Sequence, residues 1–195
     1  MKLKPRDIFI LITMIIVLGG IIIYGLKYSK ANSTLGEKVD SLNGVSVYYN
    51  GAMNNVSGRN TTADGYNLGL KYQCVEFVKR YYYEHYKHRM PDSYGHAKSF
   101  FNPNIKDGNK NKQRDLIQYS NPSISRPEVG DLVVYSGNLF NKYGHVSIIS
   151  KVSNNTIEVI QQNVGTTTRT SFPLKQQGNM WNIDNQRILG WLRKQ

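Results

Sequence analysis

Residues 72–86 read Tyr72-Gln73-Cys74-Val75-Glu76-Phe77-Val78-Lys79-Arg80-Tyr81-Tyr82-Tyr83-Glu84-His85-Tyr86. Wound at the helical period, Cys74, Phe77, Val78, Tyr81 and His85 share one face, while Glu76, Lys79, Arg80 and Tyr83 turn largely away. The pattern predicts a helix that begins at or just before Cys74. A cysteine at that end meets backbone N–H groups without helical partners and the positive end of the helix dipole, and both favour the thiolate, the nucleophilic form. Cys74 is the single cysteine of the chain, which excludes an intrachain disulfide and any zinc ribbon or finger built on cysteine pairs. The thiol is therefore inert, reactive or intermolecular, and its surroundings must decide.

Downstream the period changes from helical to extended. Pro127-Glu128-Val129-Gly130-Asp131 is turn chemistry leading into Leu132-Val133-Val134-Tyr135, whose branched and aromatic residues favour a buried strand. Gly144 to Val152 and Thr156 to Asn163 are separated only by Ser153-Asn154-Asn155, short enough for an antiparallel hairpin. Ile188-Leu189-Gly190-Trp191-Leu192 supplies a last strand. Upstream, Val45, Val47 and Tyr49 alternate with Ser46 and Tyr48 as a short strand, and residues 50–66 read as a long loop. Residues 102–127, rich in Asn, Lys, Ser and Pro, are expected to be mainly loop, with one helical turn around Arg114 to Tyr119. A helix followed by strands indicates an α+β domain.

The hairpin carries the second set of chemical groups. His145 opens its first strand, and Gln161 and Asn163, two residues apart, share a face of its second. They lie at roughly matching distances from the turn, so the amide oxygen of either can accept from an imidazole nitrogen and fix its tautomer. Glu158, three residues before Gln161, points to the opposite face unless a bulge intervenes. Thiol, base and orienter are then all present.

These segments in this order resemble the CHAP family, the cysteine, histidine-dependent amidohydrolases/peptidases. The resemblance rests on Tyr72 to Arg80, Val129-Gly130-Asp131-Leu132, Gly144-His145-Val146-Ser147-Ile148-Ile149, Gln162-Asn163-Val164 and Ile188-Leu189-Gly190-Trp191. Within the family it is greatest to the amidase domain of glutathionylspermidine synthetase/amidase, in the Gln-Cys-Val-Glu-Phe and Ile-Leu-Gly-Trp segments. It implies a papain-like fold, a helix carrying the cysteine against an antiparallel sheet carrying the histidine. It further implies that Cys74 attacks an amide carbonyl and that His145 moves the proton. Family members usually have glutamate where this chain has Gln161, and an asparagine matching Asn163. Glutamine still orients an imidazole by accepting a hydrogen bond, but adds no charge to stabilise an imidazolium. The backbone N–H of Cys74 would meet the oxyanion, with Gln73 a neighbour worth testing as a second donor.

The N-terminus places this domain. Ile8 to Leu26 contains nineteen residues without a charge, ~29 Å as a helix, which matches a bilayer core. Lys2, Lys4 and Arg6 precede it more densely than Lys27 and Lys30 follow it, which orients residues 1–7 to the cytoplasm and the remainder outside. Ser29-Lys30-Ala31 leaves open the alternative of a cleaved secretory signal. Residues 27–42 then read as a tether and residues 43–195 as the amidohydrolase domain. The chain of 195 residues carries a net charge of +12, and residues 32 to 195 alone keep 20 basic and 12 acidic groups. Outside the membrane such a surface meets an anionic wall, and peptidoglycan peptides are the expected substrate. The alternatives are a glutathionylspermidine-type amide and a binding protein that retains the fold without turnover. Interleaved basic and aromatic residues on the Cys74 helix fit core packing with a solvated face better than nucleic-acid binding. His85, His88 and His96 lack metal-site spacing, so neither metal nor cofactor is expected. Oligomeric state is not legible in the sequence.

Overall fold

The computed structural model describes residues 12–20 and 33–195. They fall into two units, residues 1–34 and 35–195. In the first, residues 12–20 form helix α1. Residues 1–7, residues 8–11 and 21–26 of the expected membrane span, and residues 27–32 of the expected tether lie outside the described residues. Among the described residues no helix is long and apolar enough to cross a membrane.

The second unit starts earlier than the sequence reading places it. Strand β1 (Lys38–Leu42), drawn from the expected tether, pairs antiparallel with β2 (Val45–Tyr48) across the turn at Asn43 and Gly44. The expected loop of residues 50–66 contains β3 (Arg59–Thr61), which pairs with β4 (Asn67–Leu70). Helix α2 (Cys74–Tyr86) follows, and a 3-10 turn at Ala97–Phe100 leads to the strands of the main sheet. These are β5 (Asn109–Asn111), β6 (Leu116–Ser120), β7 (Leu132–Tyr135), β8 (His145–Val152), β9 (Thr156–Ile160), β10 (Arg169–Gln177), β11 (Met180–Ile183) and β12 (Ile188–Arg193). They form one eight-stranded sheet in the order β11-β10-β9-β8-β7-β12-β6-β5, with every neighbouring pair antiparallel.

Strand alternation gives this sheet two buried faces. Leu132, Val134, Val146, Ile148, Ile160 and Leu192 pack in one cluster with Phe77, Val78, Tyr81 and Tyr82 of α2. Their alternates Val133, Tyr135, Ile149, Val159 and Trp191 form a second cluster with Leu174 and Ile183. Tyr82 joins helix to sheet, its hydroxyl 3.1 Å from the carbonyls of both Gly130 and Leu192. Side chains of this size contribute ~1.5–3 kcal/mol each when fully buried, so α2 is fixed on the sheet by packing rather than by propensity.

The helix is more deeply buried than its periodicity predicts. Glu76, Lys79 and Arg80, expected to turn away, are all buried. Each is matched inside: Glu76 accepts from Arg80 Nε at 2.6 Å and from Asn60 Nδ2 at 2.8 Å, and Lys79 donates to the carbonyls of Asn67 and Ser93. His85, placed by the same period on the core face, is exposed, because α2 stops one residue later at a left-handed Lys87 cap. The segment 102–127 is mainly loop, as expected, but it also carries β5 and β6 in place of the expected helical turn. Arg114 lies in the turn between β5 and β6, buried with its guanidinium donating to the carbonyls of Asp92, Tyr94 and Ser99, and Leu116 to Tyr119 are strand rather than helix.

Candidate active site

Helix α2 presents Cys74 as its first residue. Gln73 before it is extended and makes no side-chain cap, so the first turn keeps its N–H groups for other partners. The backbone N–H groups of Val146, Val75 and Cys74 itself lie near the sulfur and favour the thiolate. Burial outweighs them and pushes the thiol up to about 11. The helix terminus alone predicts an activated thiol. In the resting protein its dipole is overridden because Cys74 is sealed to 8% exposure.

The Val146 contact fixes where the sulfur lies, at the end of β8 that begins with His145. Gly144 aims this strand. Its φ is +76°, and a Cβ there would stand 2.4 Å from the Tyr135 carbonyl oxygen, so a side chain is excluded twice over. His145 pairs across the ladder with Tyr135, ring centroids 5.6 Å apart. Its Nε2 donates to Gln161 Oε1 at 2.9 Å. The glutamine is itself oriented, with Nε2 donating to Thr170 Oγ1 at 3.0 Å, and this turns its carbonyl toward the imidazole. An accepting oxygen at Nε2 assigns the ring proton to that nitrogen and leaves Nδ1 bare in the neutral ring. Burial lowers the imidazole to about 4; the Gln161 hydrogen bond opposes this and the nearby Arg187 adds to it. His145 is therefore neutral through the physiological range, and so is Cys74.

Asn163 has a different position from Gln161. Extending the register Ile148↔Ile160 would set Asn163 opposite His145, but β9 ends at Ile160 and Asn163 adopts φ 68°. Its side chain turns to the start of α2: Nδ2 donates to Gln73 Oε1 at 2.6 Å and to the Met53 carbonyl at 3.0 Å, and Oδ1 accepts from Asn50 Nδ2 at 2.8 Å. Of the two amides, Gln161 meets the imidazole. Gln73 is likewise tied in, its Nε2 donating one of its two N–H groups to the Asn55 carbonyl at 2.6 Å. Glu158 pairs with Arg169 at 2.9 Å and accepts from Ser150 at 2.7 Å, away from the histidine.

Sequence reasoning missed the residues that hold these groups in place. Gln162 is buried between them, its Oε1 accepting from Tyr48 N at 2.8 Å and its Nε2 donating to the Gln73 carbonyl at 3.0 Å and to Glu76 Oε2 at 2.8 Å. The i,i+4 spacing of Glu76 and Arg80 signals an ion pair, but nothing in the sequence signals that it is buried. Thr170 and Arg187 lie in segments without a motif.

Cys74, His145, Gln161 and Asn163 all line one cavity of about 810 Å³. Its charged or titratable lining beyond Cys74 and His145 consists of Arg59, Arg187, His96 and tyrosines, with no aspartate or glutamate. Met53, Val56, Tyr94 and Phe140 form an exposed apolar rim. Of the other histidines, His88 bonds the Arg114 carbonyl at 2.9 Å, and His96, in the cavity lining, packs at a tilt against Tyr143. Among the described residues no three His, Cys, Asp or Glu side chains cluster as metal ligands would.

Residues 63–163 match the CHAP domain model. The chain is 31% identical over 107 residues to trypanothione synthetase of Crithidia fasciculata, covering 55% of this chain and 16% of that protein. It is 28% identical over 144 residues to bifunctional glutathionylspermidine synthetase/amidase of Escherichia coli (strain K12), covering 64% of this chain and 22% of that protein. The chain thus corresponds to a small part of each relative's length. The crystal structure of Ly7917 aligns over 37% of this chain and 30% of that one with 21% identity, at a TM-score of 0.26, too low for structural comparison. Since the family model covers more than half of the sequence, this chain belongs to the CHAP domain family, and the domain implies amidase/peptidase hydrolase chemistry.

Proposed function

We propose that the protein is a thiol-dependent amide hydrolase with a papain-like arrangement, acting outside the cytoplasm on peptidoglycan peptides and held at the membrane by residues 8–26. The observation that carries the mechanism is the His145 Nε2 to Gln161 Oε1 hydrogen bond, in a cavity that Cys74 also lines. With Nε2 protonated, Nδ1 is the base. As the Cys74 sulfur attacks the substrate carbonyl carbon, its proton passes to Nδ1 and the carbonyl π electrons move to oxygen, where the Cys74 N–H meets the oxyanion. The imidazolium then protonates the departing amine, the C–N bond breaks and a thioester remains. Water, deprotonated by the same nitrogen, cleaves the thioester and regenerates the thiol. Because both groups begin neutral, attack and proton transfer are coupled rather than preceded by an ion pair. Gln161 positions the imidazole, and Asn163 holds the mouth of α2 through Gln73.

The cavity favours peptides over the polyamine amides named in its relatives. A spermidine arm carries ammonium groups, and this lining offers them arginine and no carboxylate. Incubation of the full chain with purified wall and, separately, with glutathionylspermidine, followed by mass spectrometry of the products, tests the reading. The expected outcome is new amine termini from the wall, absent with Cys74→Ala. A binding protein without turnover is the second reading, favoured by the raised thiol and the uncharged orienter. Wall binding with no product from the wild type would establish it.

A further inference from the structure

The arginines of this protein divide by their partners. Arg80, Arg89, Arg169 and Arg193 each pair with a carboxylate. Arg187 does not among the described residues, although it lines the cavity and is close enough to His145 and Tyr135 for its charge to act on both. Its backbone is hydrogen-bonded on both sides. It follows Asn185 in the turn between β11 and β12, where its N–H donates to Asn185 Oδ1 at 2.9 Å and its carbonyl accepts from Ser136 N at 2.7 Å. Its Nη2 donates back to the Ser136 carbonyl at 3.1 Å, and its Nε is buried without a partner. A guanidinium that has lost part of its hydration, is held by the Ser136 carbonyl and lines a cavity without acids is prepared for an anion. Arg59, the other arginine of the lining, is exposed and already donates to Asn67 Oδ1 at 2.9 Å.

We propose that Arg187 is a specificity-determining residue that binds a free carboxylate of the substrate, so that the cavity selects acidic peptide amides over amidated ones. This deepens, and rests on, the reading of the cavity as a hydrolase site. A carboxylate there also neutralises the Arg187 charge that acts on His145, so the ligand that binds best is the one that makes the imidazolium easiest to form.

The test uses the full chain with Cys74→Ala, which binds without turnover, titrated calorimetrically with Ala-γ-Glu-Lys-Ala and with the same peptide carrying both carboxyls as carboxamides. The free acid is expected to bind about tenfold tighter. Arg187→Gln should abolish the preference and Arg187→Lys should keep part of it, each checked by thermal melting. Equal affinities, binding of neither peptide, or a preference that survives Arg187→Gln and disappears with Arg59→Gln overturns the assignment. If Arg187→Gln does not fold, the lysine variant decides: an unchanged preference counts against a bidentate guanidinium site. Hydrolysis by the wild-type chain, followed in parallel, separates the two ideas. Selective binding without product sinks the hydrolase reading alone, and product from both peptides at equal rates sinks the carboxylate site alone.

Discussion

Gln161→Glu probes the charge that the site lacks. The wild-type orienter is a neutral oxygen 2.9 Å from Nε2, and the imidazole is held down to about 4. A carboxylate there places a full negative charge about 4 Å from the ring, which at an effective dielectric of about 20 attracts an imidazolium by ~4 kcal/mol. Desolvation of the new carboxylate removes part of this, so we expect His145 to rise by ~2 pH units, or ~2.7 kcal/mol, to the ordinary histidine range. The geometry tolerates the change, because the Thr170 hydroxyl that accepts from glutamine rotates to donate to glutamate. NMR titration of the His145 Cε1–H, assigned by comparison with His145→Ala, reads the shift without requiring activity. If imidazolium stability limits the chemical step, kcat/KM at neutral pH rises ~10–100-fold. The sign against pH is fixed as well. Wild-type His145 stays unprotonated, and usable as a base, down to about pH 4, whereas the variant loses its base below about pH 6, so the gain appears only above that. A folded variant whose His145 still titrates below about pH 5 refutes the electrostatic reasoning.

Three further outcomes follow from the same geometry. Iodoacetamide labelling of Cys74 should accelerate ~tenfold per pH unit from pH 7 to 9.5, since the thiol titrates at about 11; a rate that levels off below pH 8 contradicts a sealed, neutral sulfur. Thr170→Val removes the acceptor that orients Gln161 and should lower kcat ~3–10-fold with KM unchanged, with Thr170→Ser restoring the rate; a loss confined to KM points instead to a substrate contact. Glu76→Gln leaves Arg80 buried without its carboxylate and should cost ~3–5 kcal/mol in urea unfolding, and a loss below ~1 kcal/mol shows the pair to be dispensable.

What the sequence discloses here tracks how each residue satisfies its polar groups. The start of α2 at Cys74, strand β7, the hairpin of β8 and β9, and β12 all bury apolar side chains at regular spacing, and regular spacing is what a one-dimensional pattern records. Strands β5 and β6 were missed because part of their core is polar: Asn111 and Gln118 are buried and bonded to each other at 2.9 Å, with Arg114 beside them bonded to carbonyls. A pattern that assigns asparagine and arginine to the surface reads such a segment as loop. The same assumption turned Glu76, Lys79 and Arg80 outward. In the site, the sequence narrowed the orienter to two amides but not to one, because the choice depends on where β9 ends and on a left-handed residue at Asn163. Thr170 and Arg187 come from strands and turns far along the chain, and only assembly of the sheet brings Thr170 to Gln161 and Arg187 near the imidazole.

The seat of Gln162 also bears on where this chain can be cut. The stretch matched to the family begins at residue 63, yet Gln162 Oε1 accepts a hydrogen bond from the Tyr48 N–H and Asn163 Oδ1 accepts one from Asn50 Nδ2. A protease nick or a recombinant fragment that discards everything before residue 63 would keep every reactive atom and forfeit the brace behind them. Maturation or engineering of this domain therefore has its upstream limit near Leu35, where the second unit starts, rather than at the edge of the recognisable motif.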